Sequence, residues 1–201
     1  MFQQFIVTEP PKKKQRITGS NNETPLYVAS EQNNIEEVNR LLEAGVDING
    51  ISINRTNQTG NQTALHIASA LGYVEVVHRL LHQPNIHINP RDGNGHTPFY
   101  LASARGHVDV VRALLARYAN FHMPDNGGNT PLAIALARAN NVNVPFNQRQ
   151  NFGEIAQLIQ SLQLLTERNH PQSNRNGPVL PPEMVQHIIG YLYHSSFTLT
   201  F

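Results

Sequence analysis

An all-α helical solenoid is the fold this sequence predicts, and two recurrences in phase with each other predict it. Thr24-Pro25-Leu26-Tyr27, Thr63-Ala64-Leu65-His66, Thr97-Pro98-Phe99-Tyr100 and Thr130-Pro131-Leu132-Ala133 follow one another at separations of 39, 34 and 33 residues. Seventeen residues after each of the first three threonines begins a leucine pair, Leu41-Leu42, Leu80-Leu81 and Leu114-Leu115. A period near 33 residues is the mark of one supersecondary unit stacked on copies of itself. The stretch from Asp92 to Asn120 shows what the unit is. Asp92-Gly93 and Asn94-Gly95 favour a tight turn, because asparagine and glycine tolerate positive φ. Thr97 can cap a helix with Pro98 at its first position, where the missing N–H costs nothing. Gly106 can close that helix in a left-handed conformation. Val108, Val111, Leu114 and Leu115 then supply the apolar stripe of a second helix. One turn and two short helices cannot bury both faces alone, so the unit has to stack.

A turn, a Thr-Pro-Leu-His-like start and a Leu-Leu pair at this period are the ankyrin-repeat signature. From Asn21 to about Leu165 the chain resembles the ankyrin-repeat family. The resemblance implies about four repeats, at residues 21–55, 56–90, 91–124 and 125–168, whose inner helices and hairpin tips line a concave binding surface.

Composition narrows the function classes. A formal charge of +1 makes no whole-chain case for nucleic acid or an anionic membrane. Without cysteine, disulfides, zinc-thiolate sites and cysteine nucleophiles are excluded. No apolar run approaches the ~20 residues that span a bilayer, and Met1 to Val7 is too short an apolar stretch for a signal peptide. The location expected is cytoplasmic, with the nucleus open. Ten histidines invite a metal reading, and His78 and His82 could share one helix face. No carboxylate completes a ligand set beside them, and structural zinc generally takes four ligands. No phosphate loop, nucleophile elbow or paired carboxylates stand out. The expectation is a monomeric protein that is no enzyme and carries neither metal nor cofactor.

Taken in order, residues 1–20 read as a flexible tail. Lys12, Lys13, Lys14 and Arg16, after two prolines, resemble a short nuclear-import signal, while a solvated basic tail is the alternative. The first repeat carries Glu31, Gln32, Asn33 and Asn34 on the side that no neighbour covers, as a terminal repeat requires. Between Asn49 and Thr63 lie about six residues more than the period needs, which enlarges one hairpin finger. In the second repeat Thr63 and His66 match the family pair that braces the helix start. Tyr100 and Ala133 replace the histidine later, so the bracing there must differ. In the fourth repeat about twelve extra residues, Asn140 to Asn151, are expected before a second helix from Gly153 to Leu165. Residues 169–178 read as a linker.

Register with the family pattern gives the groove positions as Glu31, Gln32, Ala70, Leu71, Ala104, Arg105, Ala137 and Arg138. The hairpin tips are Thr59, Gln62, Gly93, Asn94, His96, Asn126, Gly127 and Asn129. Gln32, Gln62, Leu71, His96, Arg105, Asn129 and Arg138 are the candidate contacts to a protein partner. Finally, within residues 179–201, Leu180, Pro181, Glu183, Met184, Ile188, Ile189 and Leu192 fill the defining places of the opening of an F-box. That resemblance covers thirteen residues. It implies docking to the adaptor subunit of a cullin-type ubiquitin ligase, the arrangement in poxviral ankyrin proteins and in some effectors of intracellular bacteria, which act in the host cytosol. The same residues make a good helix start with a broad apolar face, which could instead close the open end of the solenoid.

Overall fold

The computed structural model describes residues 23–52 and 60–169, with side chains as far as Leu164. The basic run Lys12, Lys13, Lys14 and Arg16, the tip residue Thr59, and the segment Leu180 to Leu192 lie outside the described residues. Among the described residues eight helices form four pairs: α1 (Pro25–Glu31) with α2 (Ile35–Glu43), α3 (Ala64–Leu71) with α4 (Val74–Leu81), α5 (Pro98–Arg105) with α6 (Val108–Leu115), and α7 (Pro131–Ala139) with α8 (Phe146–Asn169). The first helices of the pairs stack in the order α1, α3, α5, α7, and the second helices in the order α2, α4, α6, α8. The chain is therefore a two-layered helical solenoid, as the period requires.

The threonines start the inner helices. Thr24, Thr63, Thr97 and Thr130 are extended, and each hydroxyl oxygen accepts the N–H three residues on, from Tyr27, His66, Tyr100 and Ala133. Each thus satisfies one of the donors that a helix start leaves open. Proline stands at the first position of α1, α5 and α7. Gly72 ends α3 in the left-handed region at φ 77, and a second constraint acts there. A Cβ on Gly72 would lie 2.5 Å from His107 Nδ1 of the next repeat, whose Nε2 is 3.0 Å from the Ala70 carbonyl. Past the outer helices α2, α4 and α6 the left-handed residue varies: Gly45, Asn85 and Tyr118.

Between the layers Val76, Val77, Leu80 and Leu81 of α4 are buried, and so are Val110, Val111, Leu114 and Leu115 of α6. Phe152, Ile155, Ala156, Ile159 and Leu162 of α8 continue that core. Within the inner layer Ser30, Ser69 and Ser103 are fully buried, each six residues past its capping threonine. A small side chain at this place lets the next inner helix close over it.

The fourth repeat departs from expectation. Its second helix starts at Phe146, not Gly153, so half of the expected insertion is helical, and it runs on through Asn169, which the sequence reading had placed in the linker. Asn147 to Asn151 have no apolar periodicity, which hides the helix from a pattern search. They nevertheless suit a helix whose packed part begins at Phe152, because Gln and Arg are good helix formers, and the Pro145 carbonyl accepts the N–H of Arg149 at 3.0 Å. Phe152 lies against Gly106 as His107 lies against Gly72. The turns before Phe152 are therefore an addition to the ordinary outer helix. No helix among the described residues is long and apolar enough to cross a membrane.

Candidate binding surface

Fingers join the repeats at one edge. Ser52 and Gln62 exchange backbone hydrogen bonds of 2.7 and 3.1 Å, while the Asp92 and Asp125 N–H groups donate to the carbonyls of His96 and Asn129 at 2.9 Å each. The first finger therefore closes around a longer loop than the other two. Successive fingers are tied together, Gly93 N–H to the Gly60 carbonyl at 2.7 Å and Asn126 N–H to the Asn94 carbonyl at 2.9 Å.

A polar relay then crosses every repeat boundary from the residue three past the capping threonine. The Tyr27 hydroxyl reaches Gln62 Oε1 at 3.4 Å. His66 accepts the Thr63 backbone N–H at Nδ1, 3.1 Å, so its proton sits on Nε2, which donates to the His96 carbonyl at 3.1 Å. Burial pulls the His66 pKa below its ordinary value and outweighs the carbonyls and the Asp92 charge that favour the cation. Tyr100 replaces the histidine one repeat on, and its hydroxyl donates to Asp125 Oδ2 at 3.0 Å. Burial, then that carboxylate, pushes its pKa up to about 12. Burial would raise the Asp125 pKa, but the hydrogen bonds from Asn129, Tyr100 and Gly127 hold it below the ordinary value. The different bracing expected at Tyr100 is thus a reach across the interface.

Two carboxylates that sequence reading passed over organise these fingers. Asp92 Oδ1 accepts the N–H groups of Asn94 at 2.9 Å and His96 at 2.8 Å. Its other oxygen lies 3.3 Å from Gln62 Nε2 and 3.2 Å from His96 Nδ1. Asp125 accepts the Asn129 N–H at 2.8 Å and its side-chain amide at 2.9 Å. The signal was present: an aspartate stands five residues before both Thr97 and Thr130.

The tip residues Gln62, His96 and Asn129 are accordingly hydrogen-bonded within the fold, and His96 also stacks on Tyr100 with ring centroids 4.6 Å apart. Gly93, Asn126 and Gly127 are exposed and Asn94 is half-buried. The inner-helix positions differ. Gln32, Leu71, Arg105 and Arg138 each stand eight residues past a capping threonine. Gln32, Arg105 and Arg138 are exposed and Leu71 is half-buried. Beside them Glu31 and Ala104 are half-buried, Ala137 is exposed, and Ala70 is covered, offering its carbonyl to His107. No group of three His, Asp or Glu side chains able to hold a metal is found among the described residues. His82 Nδ1 is 2.6 Å from the His78 carbonyl, which ties one member of that pair to its own helix.

A family model described as ankyrin repeats in three copies matches residues 1–92 and 85–144, well over half of the chain. The chain belongs to the ankyrin-repeat family. Comparison with curated proteins gives no match. Ankyrin repeats are protein–protein interaction modules and are generally non-catalytic, and in this ankyrin-repeat chain stacking holds the repeats as one surface. Rigidity matters to affinity because few groups then have to be ordered on binding.

Proposed function

We propose that this ankyrin-repeat protein is a non-catalytic monomeric adaptor. In this reading Gln32, Leu71, Arg105 and Arg138 grip a protein target, and the F-box-like residues recruit the adaptor subunit of a cullin-type ubiquitin ligase. One observation carries the target-binding half. Residues at the threonine-plus-eight place are open to solvent in the first, third and fourth repeats and half-open in the second, while in the first three repeats those at plus three and plus six are buried between neighbours. A row left out of the packing at every step of a rigid stack is where such a protein is able to meet a partner. The ligase half rests on Leu180, Pro181, Glu183, Met184, Ile188, Ile189 and Leu192 alone. An adaptor of this kind works in the cytosol, in a host cell's cytosol if it is an effector, and in the nucleus if Lys12, Lys13, Lys14 and Arg16 direct import.

Affinity purification from eukaryotic cells tests both halves. A target recovered with the parent chain should be lost on charge reversal at Arg105 and Arg138. A cullin-ligase subunit should be lost on replacing Leu180 and Pro181 with alanine, at unchanged thermal stability. Recovery of no cullin-ligase subunit with the parent chain sinks the ligase half.

A second reading of the C-terminal segment has its own support. Leu136 takes the place of the buried serines and is 36% exposed, with Leu164 of α8 67% exposed in the same repeat. These offer an apolar end face that Met184, Ile188 and Leu192 could cover. Loss of stability in the Leu180 and Pro181 variant, with no ligase subunit bound by the parent, favours this cap.

A further inference from the structure

We propose that the third and fourth repeats dock an acidic peptide segment carrying one large apolar side chain; the proposal rests on the groove reading above and names its ligand class. Along the row of equivalent positions the chemistry runs from neutral Gln32 through apolar Leu71 to the cations Arg105 and Arg138. Both arginines are exposed, and no carboxylate among the described residues pairs with either. The nearby finger carboxylates are committed elsewhere. Asp92 is buried and saturated by Asn94, His96 and Gln62, and Asp125 by Asn129 and Tyr100. On the outer layer Arg40 pairs with Glu37 at 2.5 Å and Arg112 with Glu154, while Arg79 donates to the Asn39 side-chain carbonyl at 2.6 Å. Two arginines without a carboxylate partner thus stand at equivalent places where the inner helices α5 and α7 end.

The apolar half of the site comes from the addition to the fourth repeat. The connection that leaves α7 just past Arg138 carries Val142, 80% exposed, and leads to Phe146, 67% exposed at the first turn of α8. Arg149 stands with its guanidinium carbon 5.7 Å from the Phe146 ring centroid. An isolated exposed phenylalanine needs no explanation, but this one sits in an insertion of the solenoid, on the connection that follows Arg138 directly in the chain. Carboxylates of the ligand pair with Arg105 and Arg138, and its apolar side chain lies against Val142 and Phe146. Arginine suits such pairing because its planar fork meets a carboxylate through two donors.

Selection of random twelve-residue peptides displayed on phage against the full chain tests this. The expected result is enrichment of peptides with several aspartates or glutamates around one aromatic or large aliphatic residue. A fluorescein-labelled peptide from that pool should bind about tenfold more weakly to the R105E/R138E variant and to F146S, with thermal midpoints unchanged, and more weakly to the parent at raised salt. Selected peptides that are neutral or basic, or an affinity indifferent to both variants, overturn the acidic ligand. If such peptides still compete with one another and are lost on L71E, the groove reading survives; if no peptide is enriched, both fail.

Discussion

Leu136 stands in α7 where Ser103 stands in α5, six residues past the capping threonine. Ser103 is fully buried beneath the following inner helix, as Ser69 and Ser30 are one and two steps back, while Leu136 is 36% exposed. A leucine there adds volume on the face that another ankyrin helix would have to approach. The exchange marks the end of the stack of inner helices among the described residues, and it leaves an apolar face rather than the polar one a terminal repeat requires.

The exchange can be tested in both directions. Ser103→Leu should overpack the α5–α7 contact and cost about 1–3 kcal/mol in urea unfolding. Leu136→Ser in the full chain should cost about 1.5–3 kcal/mol if another segment covers that face. A cost below about 0.5 kcal/mol, the range of surface substitutions, would mean that the face is open in solution.

Leu114 is fully buried where α6 meets its neighbours. Leu114→Ala should cost about 2–5 kcal/mol, since the packed repeats on either side can relax only in part. Stability in a solenoid is shared between adjacent repeats, so the whole transition should move to lower denaturant. A shift equivalent to less than half a kcal/mol would show the helix to be placed wrongly.

Gly72 and Gly128 separate backbone strain from packing. Both lie at positive φ, 77 and 83, but a Cβ at Gly128 would meet nothing within 4 Å. Gly128→Ala should therefore cost only the left-handed penalty, about 1–2 kcal/mol. Gly72→Ala should exceed it by about 1–3 kcal/mol, because the added carbon meets the His107 ring. Combining Gly72→Ala with His107→Ala should remove most of that excess relative to His107→Ala alone. Equal costs at the two glycines would mean that the ring moves aside freely.

The helices were legible because their signals are local. Thr97 followed by Pro98 and closed by Gly106 specifies a start and a stop without reference to anything distant. The stretch from Phe146 to Asn151 was not legible, since its helicity depends on Phe152 packing against Gly106, a contact 46 positions apart in the chain. The equivalence of Gln32, Leu71, Arg105 and Arg138 was readable by counting eight residues from each threonine. The fingers were read only in outline: Gln62, His96 and Asn129 were recognised as tips, but the bonds of Gln62 to Tyr27 and Asp92 depend on how repeats stack, while those of His96 to Asp92 and Asn129 to Asp125 close within one finger. Asp92 was read only as a turn residue beside Gly93, and Asp125 sits in a similar turn-forming run, Asp125-Asn126-Gly127, so neither was read as an acceptor that organises a finger.

The relay through the repeats gives stability a pH dependence of definite sign. Burial pulls the pKa of His66 down, and burial, then the Arg105 charge, does the same to His107. In the unfolded chain both rings take up a proton near the ordinary value of about 6.5. The folded chain takes it up only at lower pH, because protonation would put a charge on a buried ring and, at His66, remove the Nδ1 acceptor of the Thr63 N–H. Between those two values the unfolded state holds more protons, so stability is complete above about 6.5 and falls as the pH drops below it. Asp125 is lowered as well, but its contribution fades only near and below the ordinary carboxylate range and leaves this window undisturbed. The urea midpoint should accordingly be lower at pH 5 than at pH 7.5. His107→Gln keeps a donor within reach of the Ala70 carbonyl and removes the titration, so it should make the fall shallower. Ring resonances of His66 should titrate with a midpoint below 6.5. A midpoint that is flat or that rises on acidification would show that these rings are not held neutral by the fold.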